Sequence, residues 1–150
     1  MSYQEKNISV SLVTSFLILG YFLIRVFFMI QNGEFESTHV FRLWGIIIGL
    51  AILGNILATI LTHIVSAIIE AIKTQGEPDI EDFEDERDSL IDLRSTKVTY
   101  GVFSVGVLLS MLSYVLGQPP LVMFTALIIS GFLAQIIGDT IRLYMYRRGF

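Results

Sequence analysis

Four long apolar stretches alternate with short polar stretches along the chain. A transmembrane helix needs about 20 predominantly apolar residues, and each of the four stretches reaches that length. The pattern therefore predicts four membrane spans, at about residues 8–30, 41–66, 98–118 and 121–143. We expect each span to be an α-helix, because hydrocarbon offers no hydrogen-bond partner to an unpaired backbone group. The first span is longer than the apolar core of a signal peptide and lacks a cleavage site after it, so we expect it to be retained.

Short connections join the spans in pairs. The segment QNGEFESTHV joins the first two spans, and GQPP joins the last two, with prolines that we expect to end the third helix. Consecutive helices that are joined by short loops pack antiparallel. The sequence therefore predicts an all-α fold, an up-down bundle of four transmembrane helices that forms a single membrane domain over residues 1–150.

Between the second and third spans, at about residues 67–97, lies a polar segment that we expect to be helical. Its stretch EPDIEDFEDERD contains eight of the chain's 14 acidic residues. At helical spacing one face is apolar and basic, and the opposite face carries Glu81, Glu84, Asp85, Asp88 and Asp92. We favour a cytoplasmic hairpin in which the apolar face packs on an extension of the second helix; the alternative is a helix that lies on the bilayer. In either case we expect the carboxylates to face the cytosol, as a solubilising surface or as a docking surface for a basic protein partner.

Lysine and arginine are divided unevenly between the two sides of this predicted bundle. Eight of the 10 lie on the side that holds both termini and the acidic segment, and only Arg25 and Arg42 lie on the other side. Short cytoplasmic loops are enriched in these residues. The distribution predicts a multi-pass protein of the cell's inner (plasma) membrane, with both termini in the cytoplasm.

The composition excludes several classes of function. Hydrophobic residues make up 53% of the chain and charged residues only 16%, below the roughly one quarter that is usual in soluble domains. Cysteine is absent, so disulfides, thiolate ligands and cysteine nucleophiles are ruled out. The net charge of −4 argues against nucleic-acid binding, which needs clustered lysine and arginine. The sequence has no catalytic motif, metal-ligand spacing or calcium loop, and we therefore expect no enzyme activity, no metal and no cofactor.

Polar and small side chains recur at helical spacing inside the spans. The second and fourth helices each carry a polar face, and together these faces contain Asn55, Thr59, His63, Glu70, Gln135, Asp139 and Arg142. Small residues that permit close helix packing form further stripes, namely Gly45, Gly49, Gly106, Ser110, Ser113 and Gly117. We favour the interpretation that the polar faces are packing seams, within one bundle or between subunits. The alternative is a hydrated path, because ionisable groups inside a membrane are costly and commonly functional.

Two segments carry a resemblance to a known family. The run DERDSLIDLRSTKVTY, at Asp85–Tyr100, precedes the third span, and IRLYMYRRG lies near the C-terminus. With these segments the chain resembles a family of four-span integral membrane proteins of bacteria and archaea that has no established activity. The resemblance implies the same four-span topology. It also implies a signalling or accessory role, since we expect members of that family to be encoded beside small DNA-binding regulators.

The sequence as a whole predicts a non-enzymatic membrane protein that forms homo-oligomers and acts through contacts with membrane lipid or with a cytoplasmic protein partner. Its role would then be regulatory or accessory. The alternative prediction is a small oligomeric channel or transporter, whose path would be lined by the polar faces of helices 2 and 4.

Overall fold

Four long α-helices make up the structure. The computed structural model describes the backbone of residues 3–74 and 86–148, and the side chains of these residues except 3, 58, 62, 66 and 69–74. The helices are α1 (Tyr3–Gln31), α2 (Ser37–Thr74), α3 (Glu86–Val115) and α4 (Pro120–Arg148). All four are long and apolar enough to cross a membrane, which confirms the prediction of an all-helical protein with four helices of spanning length within the described residues.

A glycine with positive φ ends both α1 and α3. At Gly33 (φ 72°), Glu34 N–H donates to the carbonyl of Met29 and Gly33 N–H donates to that of Ile30. Gly117 (φ 88°) lies in the same pair of hydrogen bonds after α3. This is the Schellman arrangement, in which glycine takes a left-handed conformation that other residues avoid. The expectation that the prolines end the third helix is therefore wrong: Gly117 ends α3, and Pro120 is the first residue of α4.

The sequence predicts Gly117 as a helix-packing residue, but the structure shows it as a helix cap. A Cβ added to it would meet no atom of the described residues within 4 Å. We expect Gly117→Ala to lower the free energy of unfolding by about 1 kcal/mol, because a left-handed conformation is costly for alanine. Gly117→Asn should cost less, since asparagine tolerates that conformation. Detergent-titration unfolding, followed by far-ultraviolet circular dichroism, measures both variants. If the larger asparagine were worse than alanine, Gly117 would be a packing residue.

The helices pack in the order α3, α4, α1, α2. Helix α4 packs along both α3 and α1, and α1 also packs along α2. Helix α2 contacts α4 only slightly, through the rings of Phe41 and Trp44 against that of Phe124. Within residues 37–74 and 86–115, α2 and α3 do not contact each other. The arrangement of the described residues is thus an open one, whereas a closed bundle would also join α2 to α3.

The buried apolar core lies where α1 meets α2. Its side chains follow one face of each helix at spacings of three and four residues, as in an amphipathic pair: Ile18, Phe22, Val26, Met29, Val40, Leu43 and Ile47. Half-buried side chains of α4, including Phe124 and Ile128, pack against this cluster. The core therefore fixes α1 between its two neighbours.

Small residues let α3 and α4 approach closely. A Cβ on Gly106 would overlap the Cβ of Ser130, and a Cβ on Gly138 would overlap the hydroxyl of Thr99. Ser110 is buried on the same face of α3, and its hydroxyl donates to the carbonyl of Gly106. Gly106 and Ser110 thus lie in a packing seam of the kind predicted for this helix. Ser113 is half-buried one turn further on and bonds the carbonyl of Ser110.

Candidate functional site

Polar side chains gather at the end of the molecule that holds the start of α1 and the end of α4, called here the termini end. Asp139 of α4 is buried there. One of its carboxylate oxygens accepts a hydrogen bond from the hydroxyl of Ser11 on α1 at 2.9 Å, and the other accepts from the side-chain amide of Gln135 at 3.1 Å. Both oxygens are therefore occupied by donors, and the carboxyl group joins α1 to α4.

An ion pair at the same end joins α3 to α4. The guanidinium of Arg142 lies 2.6 Å from a carboxylate oxygen of Asp92. One helical turn away on each helix, Asp88 and Tyr146 line a small polar cavity together with Gln4, Glu5 and Arg87. The start of α3 is thus held against the end of α4 by charged and polar contacts, and the described part of the acidic segment packs on α4 rather than on α2.

This packing differs from the acidic surface expected from the sequence. Asp88 and Asp92 are half-buried against α4, whereas Leu90, Arg94 and Lys97 are exposed. Helix α3 buries Ile91 and Ser95, and the acids that neighbour them on the helix turn inward with them. The physical reason is the position of Arg142, which offers a cation to Asp92 across the seam. Glu81, Glu84 and Asp85 lie outside the described residues.

A half-open cavity of about 370 Å³ lies between α1, α2 and α4. Thr14, Ser15, Asn55 and Gln135 provide its polar lining. The remaining lining is mostly apolar and aromatic, and consists of Ile18, Trp44, Ile47, Ile48, Ala51, Leu127, Ile128, Gly131 and Phe132. The cavity therefore brings together one polar residue from each of the two faces predicted on helices 2 and 4, in a volume typical of small-molecule sites.

The other polar residues predicted on α2 lie elsewhere. Thr59 and His63 are exposed, on the side of α2 that turns away from α1. Gly45 and Gly49 lie on that side too, and no atom lies within 4 Å of a Cβ added to either glycine. The two glycines therefore pack against nothing within the described part of the chain. The side chain of Glu70 is outside the described residues.

The residues of the two polar faces predicted on helices 2 and 4 are thus divided among three places: the bonded group at Asp139 and Arg142, the cavity with Asn55 and Gln135, and the uncovered face of α2. Sequence reasoning missed the parts played by Ser11, Trp44 and Tyr146. For Ser11 a signal existed, because it aligns with Thr14 at helical spacing on α1. Among residues 3–74 and 86–148, no group of three or more His, Asp or Glu lies close enough together to hold a metal ion.

Comparison with known proteins gives no relative: no family model, no curated protein and no solved structure matches the chain. The resemblance to four-span membrane proteins of bacteria and archaea therefore stays a prediction.

Proposed function

We propose that the chain is a non-enzymatic, multi-pass protein of the plasma membrane that self-associates through α2 and acts through protein and lipid contacts, in a regulatory or accessory role. The observation that carries this proposal is the uncovered face of α2. That face combines Gly45 and Gly49 with Thr59 and His63, and all four lie outside the contacts that α2 makes with α1.

The spacing along the uncovered face supports a helix–helix contact. Positions 45, 49, 52, 56, 59 and 63 are separated alternately by four and three residues. At about 100° per residue they fall within an arc of about 80°. This alternation is the heptad spacing that brings two helices together along their length. The α1-facing residues Val40, Leu43 and Ile47 lie on the opposite side of α2, so both contacts can be made at once.

The composition of the face also supports self-association rather than exposure to lipid. Lipid chains are as apolar as leucine, so helices in a membrane associate through close packing and polar contacts. The Gly45 and Gly49 pair has the small-xxx-small spacing that lets two backbones approach. Toward the termini end the same face continues with Thr59, whose hydroxyl donates to the carbonyl of Asn55 in its own helix, and with His63.

For the topology we propose an up-down order of the four helices, with both termini and the α2–α3 connection in the cytoplasm. The support is the excess of lysine and arginine on that side. It is also the pairing of Ser11, near the start of α1, with Asp139, near the end of α4. We propose that the acidic stretch 77–88 gives this cytoplasmic side its contact with a basic protein partner. A contact of this kind would make the role of the protein regulatory or accessory.

Site-specific cross-linking tests the α2 interface, because the chain has no cysteine of its own. We expect Ile52→Cys to form disulfide-linked dimers in oxidised membranes, since a two-fold interface brings a residue at its centre against its own copy. Leu57→Cys is the matched control: Ile52 is 56% exposed and Leu57 57%, but Leu57 lies off the uncovered face. The initial rate of dimer formation should be several-fold higher for Ile52→Cys than for Leu57→Cys.

A second substitution distinguishes a stable α2 interface from disulfides that form by random collision in the membrane. Gly49→Leu would block close approach of two α2 helices and should lower the Ile52→Cys rate to that of the control. Gly20→Leu, on α1, makes the same change at a glycine that also has open space around it, and should leave the rate unchanged. Equal rates at the two cysteine positions, in a chain that keeps its helical content, would overturn the α2 interface.

The geometry favours the channel or transporter alternative less. A path between the polar faces of helices 2 and 4 needs those faces to meet. Among the described residues of one chain only Asn55 and Gln135 line a common cavity, while Thr59 lies one turn further along α2, outside that lining, and Asp139 is bonded to Ser11.

A further inference from the structure

The cavity between α1, α2 and α4 has features that self-association does not explain. Its α2 lining, from Trp44 to Asn55, is centred about 100° around the helix from the uncovered face of Gly45 and Gly49. A second copy that packs on that face would therefore leave the cavity accessible. Within the described residues α1 packs along both of its neighbours, whereas α2 contacts α4 only slightly, with Phe41 and Trp44 against Phe124. We therefore infer that the open side of the cavity lies between α2 and α4. In a membrane that side faces lipid.

Two primary amides at the polar end of the cavity are only partly used. Asn55 donates one N–H to the carbonyl of Ala51 in its own helix, and Gln135 donates one N–H to Asp139. A primary amide carries two N–H donors and a carbonyl acceptor. Each side chain therefore keeps a donor and an acceptor for a ligand, and the hydroxyls of Thr14 and Ser15 line the same end. Such a set recognises a head group with hydroxyl and carbonyl oxygens.

The rest of the lining restricts the charge and shape of that ligand. None of the described lining residues is charged, so an ionic head group would lose its hydration without gaining a counter-ion. Toward the first turns of α2 and α4 the wall is aliphatic and aromatic, with Trp44, Ile128 and Phe132. An apolar chain fits there, and its remainder can leave through the open side into the bilayer.

We propose that this cavity binds an uncharged lipid whose head group carries hydroxyl and ester oxygens, as in a diacylglycerol, with its head at Asn55 and Gln135 and an acyl chain along Trp44. The site selects against phospholipid because it lacks a basic side chain for the phosphate. The proposal goes beyond self-association through α2 and does not depend on it.

Trp44 is the only tryptophan of the chain and lines the cavity, so its fluorescence reports occupancy directly. Protein in mixed micelles is titrated with diacylglycerol brominated on its acyl chains, and separately with phosphatidylcholine carrying the same brominated chains. We expect saturable quenching by the diacylglycerol, at a mole fraction where the phosphatidylcholine quenches weakly. Asn55→Leu should weaken the apparent affinity for diacylglycerol about three- to tenfold, as the loss of a hydrogen bond predicts.

Two further variants make the test specific. Ser104→Leu, at an exposed position of α3 outside the cavity, should leave the affinity unchanged, and circular dichroism checks that this variant and Asn55→Leu keep their helical content. Ala51→Leu adds volume at the cavity wall and should reduce quenching by diacylglycerol. Equal quenching by the two lipids would mean that Trp44 meets only bulk lipid, and would overturn the proposal. An unchanged affinity in folded Asn55→Leu would overturn it as well.

Discussion

Replacing Gly106 by alanine should lower the free energy of unfolding by about 2 kcal/mol or more, although the change adds only one methyl group. The added Cβ would overlap the Cβ of Ser130 on α4. Because that atom is attached directly to the backbone, rotating the serine side chain cannot remove the overlap. The two helices would have to separate along a seam where Gly138 and Thr99 are also in close contact. Detergent titration followed by helical circular dichroism measures the loss.

A substitution at Ser130 tests whether the stability lost in Gly106→Ala comes from crowding between α3 and α4 or from a change in helix propensity. In the Gly106→Ala background, Ser130→Gly removes the opposing Cβ, so the double variant should be more stable than the sum of the single effects by more than about 1 kcal/mol. Gly101→Ala is the matched control on the same helix, where a Cβ meets nothing within 4 Å. That control should be neutral or stabilising by up to about 1 kcal/mol, because alanine favours helix over glycine. Similar losses in Gly106→Ala and Gly101→Ala would refute close packing at Gly106.

The elements of this fold were predictable because each is a local property of the chain. About 20 consecutive apolar residues are enough to specify a membrane helix, and the four predicted spans lie within or close to the four observed helices. The packing seam at Gly106 and Ser110 was also predictable, since the spacing of these two small residues places them on one face of α3. Gly117 shares that spacing but caps the helix instead. What distinguishes it is its positive φ, a property that composition does not reveal.

The order in which the helices pack was not predictable in the same way. In a soluble bundle the apolar face of a helix shows which side turns inward, but a membrane helix is apolar all round, so packing choices rest on a few small or polar residues. The contacts that decide the order here join distant positions: Ser11 and Asp139 are 128 residues apart. The half-buried position of Asp88 and Asp92 has the same origin, because the helical pattern of α3 alone contains no information about Arg142.

These contacts connect the fold to both proposals. The core and the polar bonds at the termini end hold α1, α3 and α4 together, and leave α2 attached mainly through α1. A helix held on one side has two free surfaces in the membrane. One surface carries Gly45 and Gly49, where we propose that a second copy of the chain packs, and the other, with Asn55, forms a wall of the cavity in which we propose that a lipid binds. Self-association and lipid binding would therefore act on the same helix and could influence each other.

Asp139→Leu should destabilise the protein by about 2 kcal/mol, even though it replaces a polar group with an apolar one inside a membrane span. The substitution leaves the half-buried hydroxyl of Ser11 and the amide of Gln135 without their acceptor, and a polar group that loses its partner away from water costs about 1–3 kcal/mol. It also removes the polar bond between α1 and α4. Detergent-titration unfolding with circular dichroism is again the measurement.

Graded substitutions at and beside Asp139 distinguish lost hydrogen bonds from altered packing. Asp139→Asn keeps the shape of the side chain and one acceptor oxygen, but it replaces the other oxygen with an amide nitrogen that cannot accept from the second donor. Its free energy of unfolding should therefore lie between those of wild type and Asp139→Leu. Ser11→Ala should cost less than Asp139→Leu and should add little to it, since both remove the same bond. The neighbouring control is Thr140→Val, at an exposed position whose hydroxyl bonds its own helix, and we expect a change within about 0.5 kcal/mol. Removing a buried acceptor that holds two donors should lower the free energy of unfolding. If Asp139→Leu were as stable as the Thr140→Val control, the carboxyl group would contribute nothing to joining α1 and α4.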